Sequence, residues 1–272
     1  MTRYILKRLV LMIPIVLGIS FIIFTIISVT PGDPVQLIMG TDADPVLMEA
    51  KREEWGLNDN FLVRYAKYIG GVVTGDLGTS YRTGNSVAGE IAQRLPKTMV
   101  IALGGIGLSV LVGVPLGLIS AVKQYSFIDY FARVLAMLLT AIPAFWLGLM
   151  SLLYFCLKHR WLPATGGESA AGFILPVLVL AASATATQTR TTRSSVLEAI
   201  RQDYVKMARA KGVKESRVIF KHVLRNSILP VITIAGVNIG VQMGAISAPL
   251  IVFGLAKWGN LTESAWVWRV PF

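Results

Sequence analysis

The sequence predicts an all-α integral membrane protein with five transmembrane helices. Three observations predict it. Of 272 residues, 54% are hydrophobic and only 15% are charged, against about 25% charged in an average soluble domain. Five apolar runs contain no Asp, Glu, Lys, Arg or His, and four of them reach the ~20 residues that a bilayer core requires of a helix. The net charge of +11 is concentrated beside those runs, as in segments retained in the cytoplasm, and that distribution argues against a nucleic-acid partner.

The first run, Leu9–Val29, follows Arg3, Lys7 and Arg8. Its apolar part is too long for a signal peptide, and no small-residue cleavage site precedes TPGDP, so it reads as an uncleaved anchor. The basic start places the N-terminus in the cytoplasm. The chain then alternates, with residues 30–96 outside, 123–133 inside, 158–172 outside and 190–229 inside. The last segment carries ten Lys and Arg against Glu198, Asp203 and Glu215.

The loop of residues 30–96 is too long to lack structure. Asp44-Pro45 reads as a cap followed by a first-turn proline, opening a helix to Trp55 closed by Gly56. Phe61–Val73 reads as an amphipathic helix with Leu62, Tyr65 and Ile69 on one face. GDLGTSYRTGN suits a short hairpin, and Ser86–Leu95 a short helix ended by Pro96. The loop is a platform for an external partner or a lid on the span ends. The second run is Thr98–Val122, where Pro115 with Gly113 and Gly117 predicts a kink or tight packing. The third, Val134–Leu157, reads as one span. It contains Cys156, the single cysteine, a small buried hydrophobe that rules out an internal disulfide. The fourth, Phe173–Thr189, is shorter and more polar. The fifth, Val231–Phe253, begins after Pro230. The domain organisation is therefore 1–29, an extracytoplasmic 30–96, a membrane core 97–253 containing the loop 190–229, and an extracytoplasmic 254–272.

Within 190–229, Leu197, Ile200, Tyr204 and Met207 recur at helical spacing, with Ala208 adjacent. Gly212 suits a helix end, because glycine adopts positive φ. A second short helix follows, with Ile219 and Val223 in one row, Phe220 and Leu224 in the next, and Lys214, Arg217, Lys221 and Arg225 on another side. The elbow lies on anionic lipid, packs against the ends of its own spans, or docks in a groove of a soluble partner. The residues alone leave these open.

No GxxxxGK[ST] or GxSxG occurs, so the chain is expected to have no catalytic site and to bind no ATP itself. His159 and His222 fall in loops on opposite sides, so no metal site is expected. Intramembrane ionisable groups of the kind a secondary transporter uses are missing from the apolar runs. Any pathway is therefore lined by neutral groups: Asn238 and Gln242 first, with Ser183, Thr187 and Gln188 fainter. The amides equally suit hydrogen bonds between helices. Gly236, Gly240 and Gly244 form a small-residue ridge roughly opposite.

The stretch Tyr204…Ala208-Arg209-Ala210-Lys211-Gly212, followed by His222, Leu224, Asn226, Leu229 and Pro230, resembles the loop of permease subunits in bacterial binding-protein-dependent ABC importers, in the dipeptide, oligopeptide and nickel branch. RYILKRL, TPGDP, LGTSYRTG, RLPKT, IPAFWLG and WLPATGG resemble the same branch in the same order. The wider family's triplet is only half met, with Lys206 and Met207 departing and Arg225 in place of a proline. The resemblance implies a type I importer permease fold in the bacterial inner membrane. It implies a second permease subunit, two ATP-binding subunits carrying ATP and Mg, and an extracytoplasmic solute-binding protein as partners. It assigns ATPase coupling to Tyr204, Met207, Ala208, Ala210, Gly212, Val223 and Leu224, through apolar burial rather than a salt-bridge clamp. Peptides are the expected cargo, with nickel chelates and glutathione known for relatives. Members carry a sixth span; here it is expected to be missing after Phe253. A non-transporting membrane scaffold that recruits an ATPase is the alternative in another class.

Overall fold

The computed structural model describes residues 2–30, 32–40, 43–80, 84–164 and 169–245. No strand occurs among them; Thr79 and Ser86 form one antiparallel bridge, the kernel of the expected hairpin. The sixth-span expectation, Gly244's packing and the C-terminal segment fall outside the described side chains. Among the described residues, four helices are long and apolar enough to cross a membrane, five if one sharply bent pair counts as a span. The chain contacts divide into two units, with the break between Gln93 and Arg94.

In the first unit, α1 (Thr2–Val29) exposes nearly all its large apolar side chains, while Phe24 is buried. Asp33 and Asp44 cap α2 (Pro34–Met39) and α3 (Pro45–Glu54), each accepting from the N–H two residues on, with proline in the first turn. Gly56 has φ +64° and closes α3 as the sequence predicts. Arg52 reaches back across α3 to Asp33, its Nε donating to Oδ2 at 3.0 Å. α4 (Phe61–Thr74) packs on α1 through Phe61, Tyr65 and Tyr68, whose rings meet Phe21 and Phe24. The expected face is thus rotated. Leu62 is 65% exposed, because the aromatic residues at i, i+4 and i+7 hold the larger buriable area.

The second unit holds the next helix from Arg94 on and all the described helices after it. α5 (Val87–Val122) runs through both Pro96 and Pro115, so Pro96 does not end a short helix. A proline inside a helix removes one backbone bond, here the one to the Ala92 carbonyl, a loss that membrane helices tolerate; nearby, Thr98 Oγ1 donates to the Arg94 carbonyl at 3.2 Å. The third span is not one straight helix. α6 (Phe127–Ala141) meets α7 (Ala144–Ser151) and its wide π continuation, Leu152–Lys158, at 95°. Pro143 forces the preceding Ile142 out of the helical region, to ψ 123°. The fourth span, α8 (Ile174–Ile200), continues eleven residues past Thr189 without a break. The fifth does not begin at Pro230. α10 (Glu215–Arg217) widens into a π stretch, Val218–Leu224, and flows into α11 (Arg225–Ala245), with Pro230 inside it. Asn226 Nδ2 and Ser227 Oγ donate to the His222 and Leu224 carbonyls that the wide turns loosen.

Helices α5 and α8 approach closely at two glycines. A Cβ at Gly113 would lie 2.9 Å from Gln188 Cβ, and one at Gly117 would lie 2.6 Å from the Thr189 carbonyl oxygen. This is the tight packing that Gly113 and Gly117 predict. The expected ridge on the fifth span behaves otherwise. A Cβ at Gly236 or Gly240 would meet nothing within 4 Å, so within this chain that ridge faces open space. The glycine contacts belong to the second span.

Candidate functional site

The basic elbow is built in two layers. α8 ends at Ile200 with Arg201 as its C-cap, and α9 (Asp203–Ala210) follows at once. Gly212 has φ +72°. Its N–H donates to the Arg209 carbonyl, and the Val213 N–H donates to the Ala208 carbonyl, the paired bonds of a Schellman helix end. The inner layer packs Val205, Ala208, Val218, Ile219 and Val223 on Leu118 and Ala121 of α5 and on Val196 and Ala199 of α8. Val205, Val218 and Val223 are fully buried, and each contributes roughly 1.5–3 kcal/mol.

The outer layer is free. Tyr204, Met207 and Phe220 are 39%, 58% and 63% exposed, and Ala210 and Gly212 are exposed with them. Ala208 and Val223 therefore face this chain's own spans, and Leu224 is half-buried. An ion pair also spans the glycine corner: Arg209 Nη2 donates to Glu215 Oε1 at 2.6 Å. Sequence reasoning did not foresee a clamp there. Beside it, the Lys206 ammonium holds the Asp203 carboxyl below its usual range.

Above the elbow lies a polar interior. Gln188 is fully buried, and its Nε2 donates to the Val231 carbonyl at 3.1 Å. Gln242 is buried, and its Nε2 donates to the Leu180 carbonyl at 3.3 Å. Its Oε1 sits where a Cβ on Gly105 would collide, at 2.9 Å. Both amides tie α11 to α8. Gln188 Oε1, Thr192 Oγ1, Asn238 Nδ2 and Gln242 Oε1 are buried without a partner among the described residues. Ser183 and Thr187 lie elsewhere, on the exposed side of α8, where Thr187 Oγ1 donates back to the Ser183 carbonyl. The four pathway candidates thus divide between an inner seam and an outer face.

Asp129 completes the arrangement and was not among the expected site residues. It is fully buried. Its carboxylate accepts from Ser120 Oγ at 2.6 Å, from the Tyr125 N–H at 3.0 Å, and from Arg193 Nε and Nη2 at 2.7 and 3.0 Å. Those partners tie the end of α5, the turn after it, α6 and α8 together. The signal was present in Ser126-x-x-Asp129, a capping pattern. Ser126 does cap α6, accepting from the Asp129 N–H.

Comparison with known proteins settles the family. The family described as "Binding-protein-dependent transport system inner membrane component" matches residues 113–265, and its N-terminal companion matches residues 1–102. The chain belongs to this family, the permeases of ABC importers. Over 276 residues it is 42% identical to an oligopeptide transport system permease protein of Bacillus subtilis (strain 168), covering 96% of this chain and 85% of that one. It is 35% identical to a dipeptide transport system permease protein of Alkalihalophilus pseudofirmus, covering 90% and 82%. To a glutathione transport system permease protein of Escherichia coli O6:H1 it is 35% identical, covering 96% and 84%. The permease described here is a multi-pass membrane protein and a transport subunit. Its glycine elbow and its amide-tied helix pair are properties of that subunit.

Proposed function

We propose that the permease moves peptides, or a related small solute, inward across the cytoplasmic membrane, driven by ATP hydrolysis on separate Mg-dependent ATPase subunits. The observation that carries this is the two-layered elbow. Its inner layer is locked to the ends of α5 and α8, while Tyr204, Met207 and Phe220 stay uncovered beside basic side chains. Apolar groups left bare on a helix outside the membrane suit a groove on another protein. A push on the outer layer reaches α8 through Val205, Ala208 and Val223, which act as positioning residues. Gly212 sets the angle between the two halves.

The basic segments put the N-terminus and the elbow in the cytoplasm. A second permease, two ATPase subunits and an extracytoplasmic solute-binding protein complete the assembly. The cargo passes the exposed hydroxyl face of α8, Ser183 and Thr187. Gln242, together with Gln188, ties α11 to α8, and Asn238 keeps a buried amide nitrogen without a partner among the described residues on that inner seam. Peptide cargo is supported by the oligopeptide and dipeptide relatives; the glutathione relative fits the same chemistry.

Gly212→Val tests the coupling. No atom lies within 4 Å of a Cβ there, so the change strains only the local backbone, by about 1–2 kcal/mol. The variant inserts and assembles normally, but hydrolysis in the reconstituted complex no longer drives uptake. Gly212→Asn, which tolerates positive φ, retains coupling. Full coupling in the Val variant would remove the elbow from the mechanism; ATPase docking without flux in the native protein would instead favour a scaffold.

A further inference from the structure

A cleft of about 900 Å³ opens between α6 and α8. Arg133 of α6 and Arg190, Arg193 and Arg201 of α8 line it, with Glu198. Asp129 behind it takes both nitrogens of Arg193 and stands 3.5 Å from Arg133. Arg190 and Arg201 join no ion pair among the described residues. Four guanidiniums thus face two carboxylates, a surplus of two positive charges. Arginine does not shed its proton in proteins, so the surplus persists at any working pH.

The position of this charge matters more than its amount. Ser183, Thr187, Arg190, Ser194 and Arg201 are spaced to fall on one line of α8, and Ser183, Arg190, Ser194 and Arg201 are exposed. The hydroxyl face assigned above to the cargo route therefore runs directly into the arginine cleft. Arg190 lies about 16 Å along the axis from Arg201, so the charge is not confined to the helix end. The topological preference for basic residues at cytoplasmic ends accounts for their number. It does not account for convergence on one cleft in line with a polar row.

We propose that this cleft receives the free carboxylate of the cargo at one mouth of the pathway, with Arg190 as the principal contact and Arg133 and Arg201 flanking it. This rests on the transport reading and narrows the cargo to solutes bearing a carboxylate. A guanidinium grips a carboxylate through two parallel N–H bonds, so the site reads an acid and not its amide. Several arginines offered along one face allow hand-over rather than capture, since passage requires a ligand to leave as readily as it arrives.

The test uses the full complex in proteoliposomes of fixed phosphatidylcholine and phosphatidylglycerol content. The probes are a tripeptide and its C-terminal amide, both held by the solute-binding protein and supplied at saturation. Expected for the native protein is uptake of the acid about tenfold faster than of the amide, the size of one charge-assisted bond. Arg190→Gln slows the acid about tenfold and leaves the amide unchanged; Arg190→Lys, which keeps the charge but loses the fork, recovers acid uptake only in part. Equal loss of both probes in Arg190→Gln would make Arg190 a structural or lipid-headgroup residue and overturn the proposal. So would equal uptake of acid and amide by the native protein, or an Arg190 effect that vanishes when phosphatidylglycerol is withheld. No ATP-dependent uptake of either probe by the native complex would sink the transport reading itself, and the proposal with it.

Discussion

Asp129→Ala removes the acceptor at the crossing of α5, α6 and α8, and its cost can be worked from the contacts. Breaking a buried ion pair by deleting one partner costs about 3–5 kcal/mol, because the surviving charge stays buried. Arg193 is 19% exposed in its side chain, so the lower end applies, about 3 kcal/mol. Ser120 Oγ and the Tyr125 N–H lose their acceptor as well, adding about 1 kcal/mol between them once partial relaxation is allowed. The sum, about 4 kcal/mol, lowers the folding equilibrium constant roughly a thousandfold. Reversible unfolding of the purified permease from mixed micelles by added dodecyl sulfate measures it. Asp129→Ala/Arg193→Met is the decisive companion. With the orphaned cation gone, the double variant is no less stable than Asp129→Ala alone. A loss under about 1 kcal/mol for the single variant, or simple additivity in the double, would show that the pair is not the structural tie described.

Gly117→Ala places a methyl group 2.6 Å from the Thr189 carbonyl oxygen and 3.1 Å from the Arg193 amide nitrogen, which backbone cannot yield without parting α5 from α8. It destabilises by about 1–3 kcal/mol, while Gly107→Ala, with nothing within 4 Å, is neutral in the same thermal melt. Acid loosens α2 and α3. Burial alone would raise the Asp33 carboxyl, but the Arg52 guanidinium and the Val35 N–H outweigh it and hold it below the usual range. With the folded value depressed, the stabilisation is present above the ordinary carboxylate value of about 4 and is lost as pH falls through the folded one. Hydrogen exchange of both helices follows this loss, and Asp33→Asn removes the share due to Asp33 while leaving that of Glu49, which Arg52 also holds below its usual range.

The helices were legible because hydropathy reports where backbone must bond to itself inside a bilayer. The caps at Asp44 and Gly56 and the positive φ of Gly212 were legible too, since each answers to local sterics. What escaped the sequence was what a helix meets. Leu62 and Tyr65 fit one stripe equally well, and only the rings of Phe21 and Phe24 decide between them. Pro96 and Pro230 read as breaks, but each removes only one backbone bond, and the helices run on through both. Pro143 does break its span, because Ile142 before it turns extended where the other two prolines continue in helix. The Gly236 ridge carries the same small-residue pattern as Gly113 and Gly117, and only the second is filled by a neighbour within the chain.

The distribution of polarity in the permease follows from a mechanical requirement. A span that shifts during transport cannot be held by apolar packing alone, since one apolar contact slides onto the next at little cost. Gln188 and Gln242 instead donate to single carbonyls on the facing helix, and each leaves its oxygen unmet among the described residues. Such a bond holds one register and has a second acceptor ready when the register changes. Asp129, by contrast, has its hydrogen bonds to Ser120, Tyr125 and Arg193 made at once, which suits a fixed joint. On the coupling proposed above, the α5–α6–α8 crossing would serve as the pivot, and the α8–α11 seam, with its half-satisfied amides, would be where movement imposed at the elbow is expressed.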